Sequence, residues 1–252
     1  SFGGIEGVVV LQNGAPLPLF STLPAAWGEE MSRISGVSVV NPELWARANL
    51  IDGEPIFSPP RLLFGTDLPT RVHRRDLTIS KDIQEGRFLD ISDVGTNHAV
   101  ISRQIAEQFN KTVGDPLEVN GAPLKIVGIY RTGSIIIDVT IVVDINLLRS
   151  MTRAAPDAVS AFYVEPDAGI SNDIIIERIT SQFRDRELPA WRGGTIPLDA
   201  PTGAPRSIGE WVDSVARVFL QQAATSEASR SNAEKSVGPE SDRENGSQAD
   251  SA

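Results

Sequence analysis

VGDPLEVNGAPLKIVGIY, residues 113–130, is the stretch on which the fold turns. Leu117 and Val119 alternate with polar neighbours up to Asn120-Gly121, the pair that a two-residue type I′ turn prefers, and Lys125 to Tyr130 supplies a returning strand. The stretch therefore predicts a tight hairpin. Immediately upstream, His98 to Ile101 reads as a strand, Ser102 as the N-cap of a helix carrying Ile105, Ala106 and Phe109 on one side, and Gly114-Asp115-Pro116 as its stop.

Working outward, Val8 to Leu11 predicts a buried strand ended by Asn13-Gly14. A helix follows in this reading, capped by Ser21 or Thr22, with Pro24 in its first turn and Leu23, Trp27, Met31 and Ile34 on one face. Val37 to Val40 reads as a second strand, Ala46 to Phe57 as a hairpin around Asp52-Gly53, and Leu62 to Asp67 as a further strand. Leu77 to Ile79 is strand-like. Ser134 to Asp144 and Ala161 to Val164 add sheet, and Asn172, Ile175, Ile176, Ile179 and Phe183 mark one face of a helix. Strands and helices alternate but hairpins are frequent, so the fold class is α+β with a mixed sheet rather than a doubly wound parallel one.

The last quarter differs in composition. Residues 188–205 are rich in Pro and Gly and read as a surface loop or linker. Ser207 and Glu210 have capping-box spacing, and Ile208, Trp211, Val212, Val215, Val218 and Phe219 form one apolar stripe, an amphipathic helix in need of a partner or a membrane surface. Residues 221–252 contain one large aliphatic side chain, Val237, and are expected to stay disordered because they cannot offset the entropy of ordering.

Composition narrows the chemistry. A net charge of −10 disfavours nucleic acid, whose affinity rests on clustered Lys and Arg. Zero cysteines removes thiolate nucleophiles, disulfides and Cys-based zinc sites together. The uncharged stretch Gly7 to Gly28 is interrupted by Pro16, Pro18 and Pro24 and is no membrane helix. His73-Arg74-Arg75-Asp76-Leu77 echoes a kinase catalytic loop, but the extra Arg breaks the motif, and an exposed basic turn is the expectation. His73 and His98 have no local partners that would make a metal signature. Asp138 and Asp144, if on one extended strand face, stand roughly 20 Å apart, too far for paired carboxylate chemistry. The glycine-containing stretches lack phosphate-loop endings, and the sequons at Asn110 and Asn245 carry little weight. Trp27, Trp45, Trp191 and Trp211 read as packing residues. No catalytic, metal or cofactor-binding residues are assigned. Because the chain starts at Ser1 rather than Met, an excised or processed piece is expected.

GRFLDISD (86–93), HAVISRQIAEQF (98–109), the hairpin at 113–130 and VTIVVDINLLRSM (139–151) occur in an order that closely resembles the extracytoplasmic core domain of MacB/FtsX-type ABC transporter permeases, over about residues 1 to 185. The resemblance implies a two-lobed unit, with residues 1–80 plus 156–190 as one lobe, 81–155 as the other, then the 191–220 linker and helix and the 221–252 tail. It also implies a domain on the periplasmic or extracellular face of a bacterial membrane, with no enzyme activity or cofactor of its own. The implied partners are the membrane helices of the permease, a separate ATPase, a periplasmic partner protein and a second permease copy. The alternative is a free periplasmic binding or adaptor module without transport activity.

Overall fold

The computed structural model describes residues 7–186 and the backbone of 205–207. Strand β1 (Val8–Val10) is followed by the short β2 (Leu23–Pro24), helix α1 (Trp27–Ser32) and the long β3 (Val37–Ala48). A tight hairpin of β4 (Leu50–Ile51) and β5 (Glu54–Pro55) leads to β6 (Arg61–Thr66), α2 (Leu68–Arg71) and β7 (Ile83–Gly86). Next come β8 (His98–Ser102), α3 (Arg103–Gln108), the hairpin β9 (Pro116–Val119) and β10 (Ala122–Tyr130), β11 (Thr140–Asp144) and α4 (Ile145–Thr152). The series closes with β12 (Ala158–Val159), β13 (Ala161–Pro166), α5 (Asn172–Phe183) and β14 (Pro205–Ser207).

Twelve of these strands form one mixed sheet in the order β14-β1-β13-β3-β6-β11-β8-β10-β9-β4-β5, with β7 also paired to β10, while β2 and β12 pair separately. Only β6–β11 and β8–β10 run parallel among the described pairs. The expected mixed sheet is thus present, as part of a mixed α/β domain with a twelve-stranded sheet. Strands from residues 81–155 are contiguous in it and meet the others at β6–β11, while the β4–β5 hairpin lies beyond them against β9.

Strand alternation sends side chains to two unlike faces. On one, Val8, Leu44, Leu63, Ile101, Ile141 and Phe162 join Trp27 and Met31 of α1, Ile105 of α3, Leu148 of α4 and Ile175, Ile179 and Phe183 of α5 in the main apolar core. On the other, Phe64, Val100, Tyr130 and Val142 make a smaller cluster with Leu68, Ile79 and Leu89 from the connecting segments. Helices α1, α3, α4 and α5 cover the first face, and loops with the single-turn α2 cover the second.

The hairpin is as its sequence predicts. Asn120 and Gly121 have φ of 51° and 82°, the left-handed pair of a type I′ turn. Asn120 Oδ1 also accepts from Asn49 N at 2.8 Å and Leu50 N at 3.1 Å, tying this turn to β4. Asp52 and Gly53 repeat the same left-handed pairing at 47° and 80°. Ser102 caps α3 by accepting from Ile105 N.

Other expectations need correction. The helix expected from Thr22 onward begins only at Trp27, because Leu23–Pro24 pairs with Ala158–Val159 and Ala25 N donates to Asp157 O. Ser21 does not cap it; its Oγ accepts from Gln12 N at 2.8 Å. The strand at Val37 runs on through Ala48 rather than stopping at Val40, since β13 pairs with its first half and β6 with its second. Leu77 to Ile79 is not a strand: Ile79 has φ 74° at the start of a 3-10 turn, with its side chain buried in the second cluster. Within Ser134 to Asp144 only Thr140–Asp144 is strand; Ile137–Val139 is a 3-10 turn, so Asp138 and Asp144 do not share an extended face. Pro205–Ser207 adds an edge strand to β1, where the expected loop ends at Pro205 and Ser207 was read as a helix cap.

Candidate functional site

The loop face carries polar side chains that the same alternation places in rows. Asn41 and Glu43 on β3 stand beside Tyr163 and Glu165 on β13 and Thr66 on β6. Buried polar groups require partners, and the connection from Asp67 to Asp82 crosses over the sheet and supplies them. Asn41 donates to Asp67 O at 2.9 Å and accepts from Thr66 Oγ1 at 2.8 Å. Asp67 then caps α2, accepting from Thr70 N at 3.0 Å. Fully buried Glu165 accepts from the backbone of Arg75 at 2.9 Å and of Asp76 at 3.0 Å, clamping the loop to β13.

Arg74 lies at the centre. Its guanidinium is 3.5 Å from the centroid of the Tyr163 ring, 3.5 Å from Glu43 Oε1 and 3.1 Å from Asp76 Oδ2. The expected exposed basic turn is therefore wrong for this residue: only 9% of Arg74 is accessible, since a planar cation can be buried when it stacks on a ring and meets carboxylates. Arg71 donates to Thr78 O at 3.0 Å and lies 4.6 Å from the Phe88 ring centroid. Burial, with the like charge of Arg74, brings the Arg71 guanidinium down to about 9. Burial likewise raises the Glu43 carboxyl, although Arg74 pulls the other way, and it raises the Tyr163 hydroxyl. For Asp76 burial also acts upward, but hydrogen bonds from Thr78 and the charge of Arg74 outweigh it and leave the carboxyl lowered.

Between this ionic floor and apolar walls of Trp45, Phe64, Ile79, Ile136 and Ile137 lies a half-open cleft of about 90 Å³. Trp45 stacks on Phe64 at 4.6 Å between centroids and donates from Nε1 to Glu43 Oε2 at 3.2 Å. Trp45 is thus a cleft wall, whereas Trp27 packs on Phe183 in the main core. Two polar atoms of lining residues, Arg74 Nε and Thr140 Oγ1, are buried without a hydrogen-bond partner.

A second ionic group explains the Gly86-Arg87-Phe88 sequence. Arg87 donates to both oxygens of buried Asp93, at 2.6 and 2.8 Å, and His98 Nδ1 lies 2.6 Å from Asp93 Oδ1. The Arg87 hydrogen bonds hold the Asp93 carboxyl well below the usual range, against the effect of burial. Asp90 and Asp93 form a reciprocal capping box. Here the backbones come too close for side chains: a Cβ on Gly86 would sit 2.2 Å from Val127 O, and one on Gly128 2.0 Å from Arg87 O.

The structure gathers Glu43, Arg71, Arg74, Asp76, Tyr163 and Glu165, none of which was assigned a role from sequence. The available signal was an acidic residue at an inward position of an apolar strand, as in Val164-Glu165-Pro166. Asp138 and Asp144 satisfy local backbone: Asp138 accepts from Thr132 N and Gly133 N, and Asp144 caps α4. Among the described residues no group of three His, Cys, Asp or Glu could hold a metal, and no helix is long and apolar enough to cross a membrane. The predicted partner helix, Ile208, Trp211, Val212, Val215, Val218 and Phe219, and the 221–252 tail lie outside the described residues.

The sequence profile of the MacB-like periplasmic core domain matches residues 5–182. The chain belongs to that family. The fold agrees: the periplasmic region of MacB from Actinobacillus actinomycetemcomitans superposes with a TM-score of 0.54 at 12% identity, over 71% of this chain and 85% of that one. The extracellular domain of the noncanonic ABC-type transporter YknZ from Gram-positive bacteria gives 0.51 at 16% identity, over 70% and 91%. No curated protein sequence matches. This MacB-like domain is the periplasmic or extracellular domain of a MacB-type ABC transporter permease.

Proposed function

We propose that the domain couples ATP-driven movement of the permease membrane helices to the handling of a lipoprotein, peptide, drug or partner protein outside the membrane. The observation that carries this reading is family membership over residues 5–182, on a body whose twelve strands are hydrogen-bonded from edge to edge. A packed sheet backed by helices transmits displacement, because close-packed interiors have low compressibility. In this reading residues 1–80 with 156–190 and residues 81–155 act as two lobes meeting along β6–β11 and again at β4–β9. The stripe at Ile208, Trp211, Val212, Val215, Val218 and Phe219 faces the membrane or a partner, and a periplasmic partner protein or second permease copy docks on the domain. No cofactor takes part.

The absence of cysteine from this sequence leaves no competing thiol within the domain. Spin labels at Glu54→Cys, on the far hairpin, and Asp173→Cys, at the start of α5, are introduced into the complete permease reconstituted with its ATPase. ATP is expected to change the distance between equivalent labels on two permease copies, or the accessibility of each label to a membrane-bound relaxation agent. Label positions that are indifferent to ATP in a permease that hydrolyses it would refute coupling.

A further inference from the structure

We infer that Asn13, in the turn after β1, is a site of spontaneous covalent modification: its carboxamide is lost as ammonia through a cyclic imide with Gly14, leaving aspartate or isoaspartate, while the fold protects the identical Asn120-Gly121 pair. This goes beyond the coupling role and stands or falls separately from it. The sequence contains three Asn-Gly pairs, at 13, 120 and 245, and the first two lie among the described residues. Asn-Gly is the pair in which the reaction is easiest, because glycine has no side chain to hinder the approach of its own amide nitrogen to the asparagine Cγ.

The two pairs make a controlled comparison. Both glycines are left-handed, Gly14 at φ 79° and Gly121 at φ 82°, and at both there is nothing within 4 Å of where a Cβ would stand. Both asparagines are exposed. What differs is the carboxamide. That of Asn120 makes three hydrogen bonds: Oδ1 accepts from Asn49 N at 2.8 Å and Leu50 N at 3.1 Å, and Nδ2 donates to Arg47 O at 2.8 Å. No described residue hydrogen-bonds to the carboxamide of Asn13. Cγ meets the next amide nitrogen only after the side chain rotates, which Asn13 does against solvent alone and Asn120 only by breaking its bonds. Asp52-Gly53, which can form the same imide, is restrained in the same way: Asp52 accepts from Glu118 N at 2.8 Å and pairs with Lys111 Nζ at 2.6 Å.

The reaction balances without an oxidant or reductant. The Gly14 amide nitrogen gives its proton to solvent base and attacks Asn13 Cγ. The new N–Cγ bond closes the imide, the Cγ–Nδ2 bond breaks, and Nδ2 leaves as ammonia. Water then opens the ring: attack at Cγ gives aspartate, and attack at the main-chain carbonyl of residue 13 gives isoaspartate, whose chain runs through Cβ and Cγ. Either product adds a negative charge to the turn. Isoaspartate also lengthens the backbone between Gln12 and Ala15, whose 3.0 Å bond from Ala15 N to Gln12 O closes that turn. Gln12 is only 8% exposed, donates from N to Ser21 Oγ at 2.8 Å and accepts at Oε1 from Thr22 N at 3.2 Å, so the lengthening is felt across residues 12–22.

The test holds the full chain in mildly alkaline buffer, with and without urea. Mass spectrometry follows the peptides containing Asn13 and Asn120 separately, and isoaspartyl methyltransferase labelling detects the rearranged product. In the folded chain Asn13 is expected to convert at least about tenfold faster than Asn120, the factor that one net hydrogen bond at the upper end of the usual range supplies. In urea the Asn120 rate should rise to match that of Asn13. Equal rates in the folded chain, a difference that persists in urea, or an acid product at Asn13 without isoaspartate, which would mean direct hydrolysis rather than an imide, would each overturn the proposal.

Discussion

The two faces of the sheet are built on opposite principles. Helices α1, α3, α4 and α5 press apolar stripes onto one face, and its core is continuous from Val8 to Phe183. The other is covered by irregular segments, 67–82, 87–97 and 131–139, held by buried carboxylates and guanidinium groups as much as by apolar contact. The first face is stabilised by area removed from water, which is non-directional and forgiving of small shifts. The second depends on hydrogen bonds that work at one geometry and are costly when half made. Under the proposed coupling role, the helix face would supply stiffness and the loop face the shaped surface.

Where the loops meet the sheet, backbone rather than side chain decides. Gly128→Ala is expected to have the largest effect of any single methyl group, because the new Cβ would sit 2.0 Å from Arg87 O, a backbone atom held by the β7–β10 pairing. A loss of at least about 4 kcal/mol, or failure to fold, is expected, read from the urea midpoint. A stable Gly128→Ala protein would show that the Gly86–Arg87 segment can leave β10, weakening the contrast.

On the helix face the matching perturbation is Phe162→Ala. Phe162 is fully buried on β13 within the main core, and removing its ring should cost about 3–5 kcal/mol. Hydrogen exchange should then rise over α1 and β13 while the 67–82 loop keeps its protection, since that loop hangs on the opposite face of the same strand.

Glu165, three residues on, tests the reverse. Glu165→Ala would leave the amides of Arg75 and Asp76 without their acceptor, a cost of about 1–3 kcal/mol for each group so exposed. Exchange is expected to rise across 67–82 and to leave α5 unchanged; Glu165→Gln, which keeps an acceptor oxygen, should recover part of the loss. A uniform rise in both variants would mean that the two faces are one cooperative unit.

These contrasts also explain what the sequence disclosed. Asn120-Gly121, Asp52-Gly53 and the Ser102 cap are local devices, in which a few adjacent residues fix their own geometry, and all three were legible. Leu23–Pro24 was read as helix because its strand partner, Ala158–Val159, is far along the chain, and propensity yields to such pairing. Arg74 was read as solvated because its neighbours in sequence are polar, while Tyr163 and Glu43, which bury it, come from β13 and β3. The family motifs fared better than the cleft for the same reason: Arg87 and Asp93 act largely on each other, whereas the cleft is assembled from six separate segments.

The smallest effect expected is a pH dependence, and it distinguishes two kinds of buried carboxyl. Asp93 is lowered from 3.8 by its hydrogen bonds with Arg87, so its contribution is complete above 3.8 and is lost as pH falls through the folded value. Asp93→Asn should therefore be less stable than the parent at neutral pH, and the gap between them should close progressively in denaturant titrations taken below 3.8. Arg87 is 44% exposed, so solvent screens the pair and the gap should be modest. Glu43 runs the other way: burial raises its carboxyl from 4.5, so it weakens the fold as pH climbs from there through the raised value. In Asp93→Asn the opposing slope of Glu43 remains beside the lowered carboxyls of Asp52 and Asp76, and a variant whose stability still fell steeply below pH 3.8 would show that the acid sensitivity of this domain resides in such carboxyl groups rather than in the one that Arg87 holds.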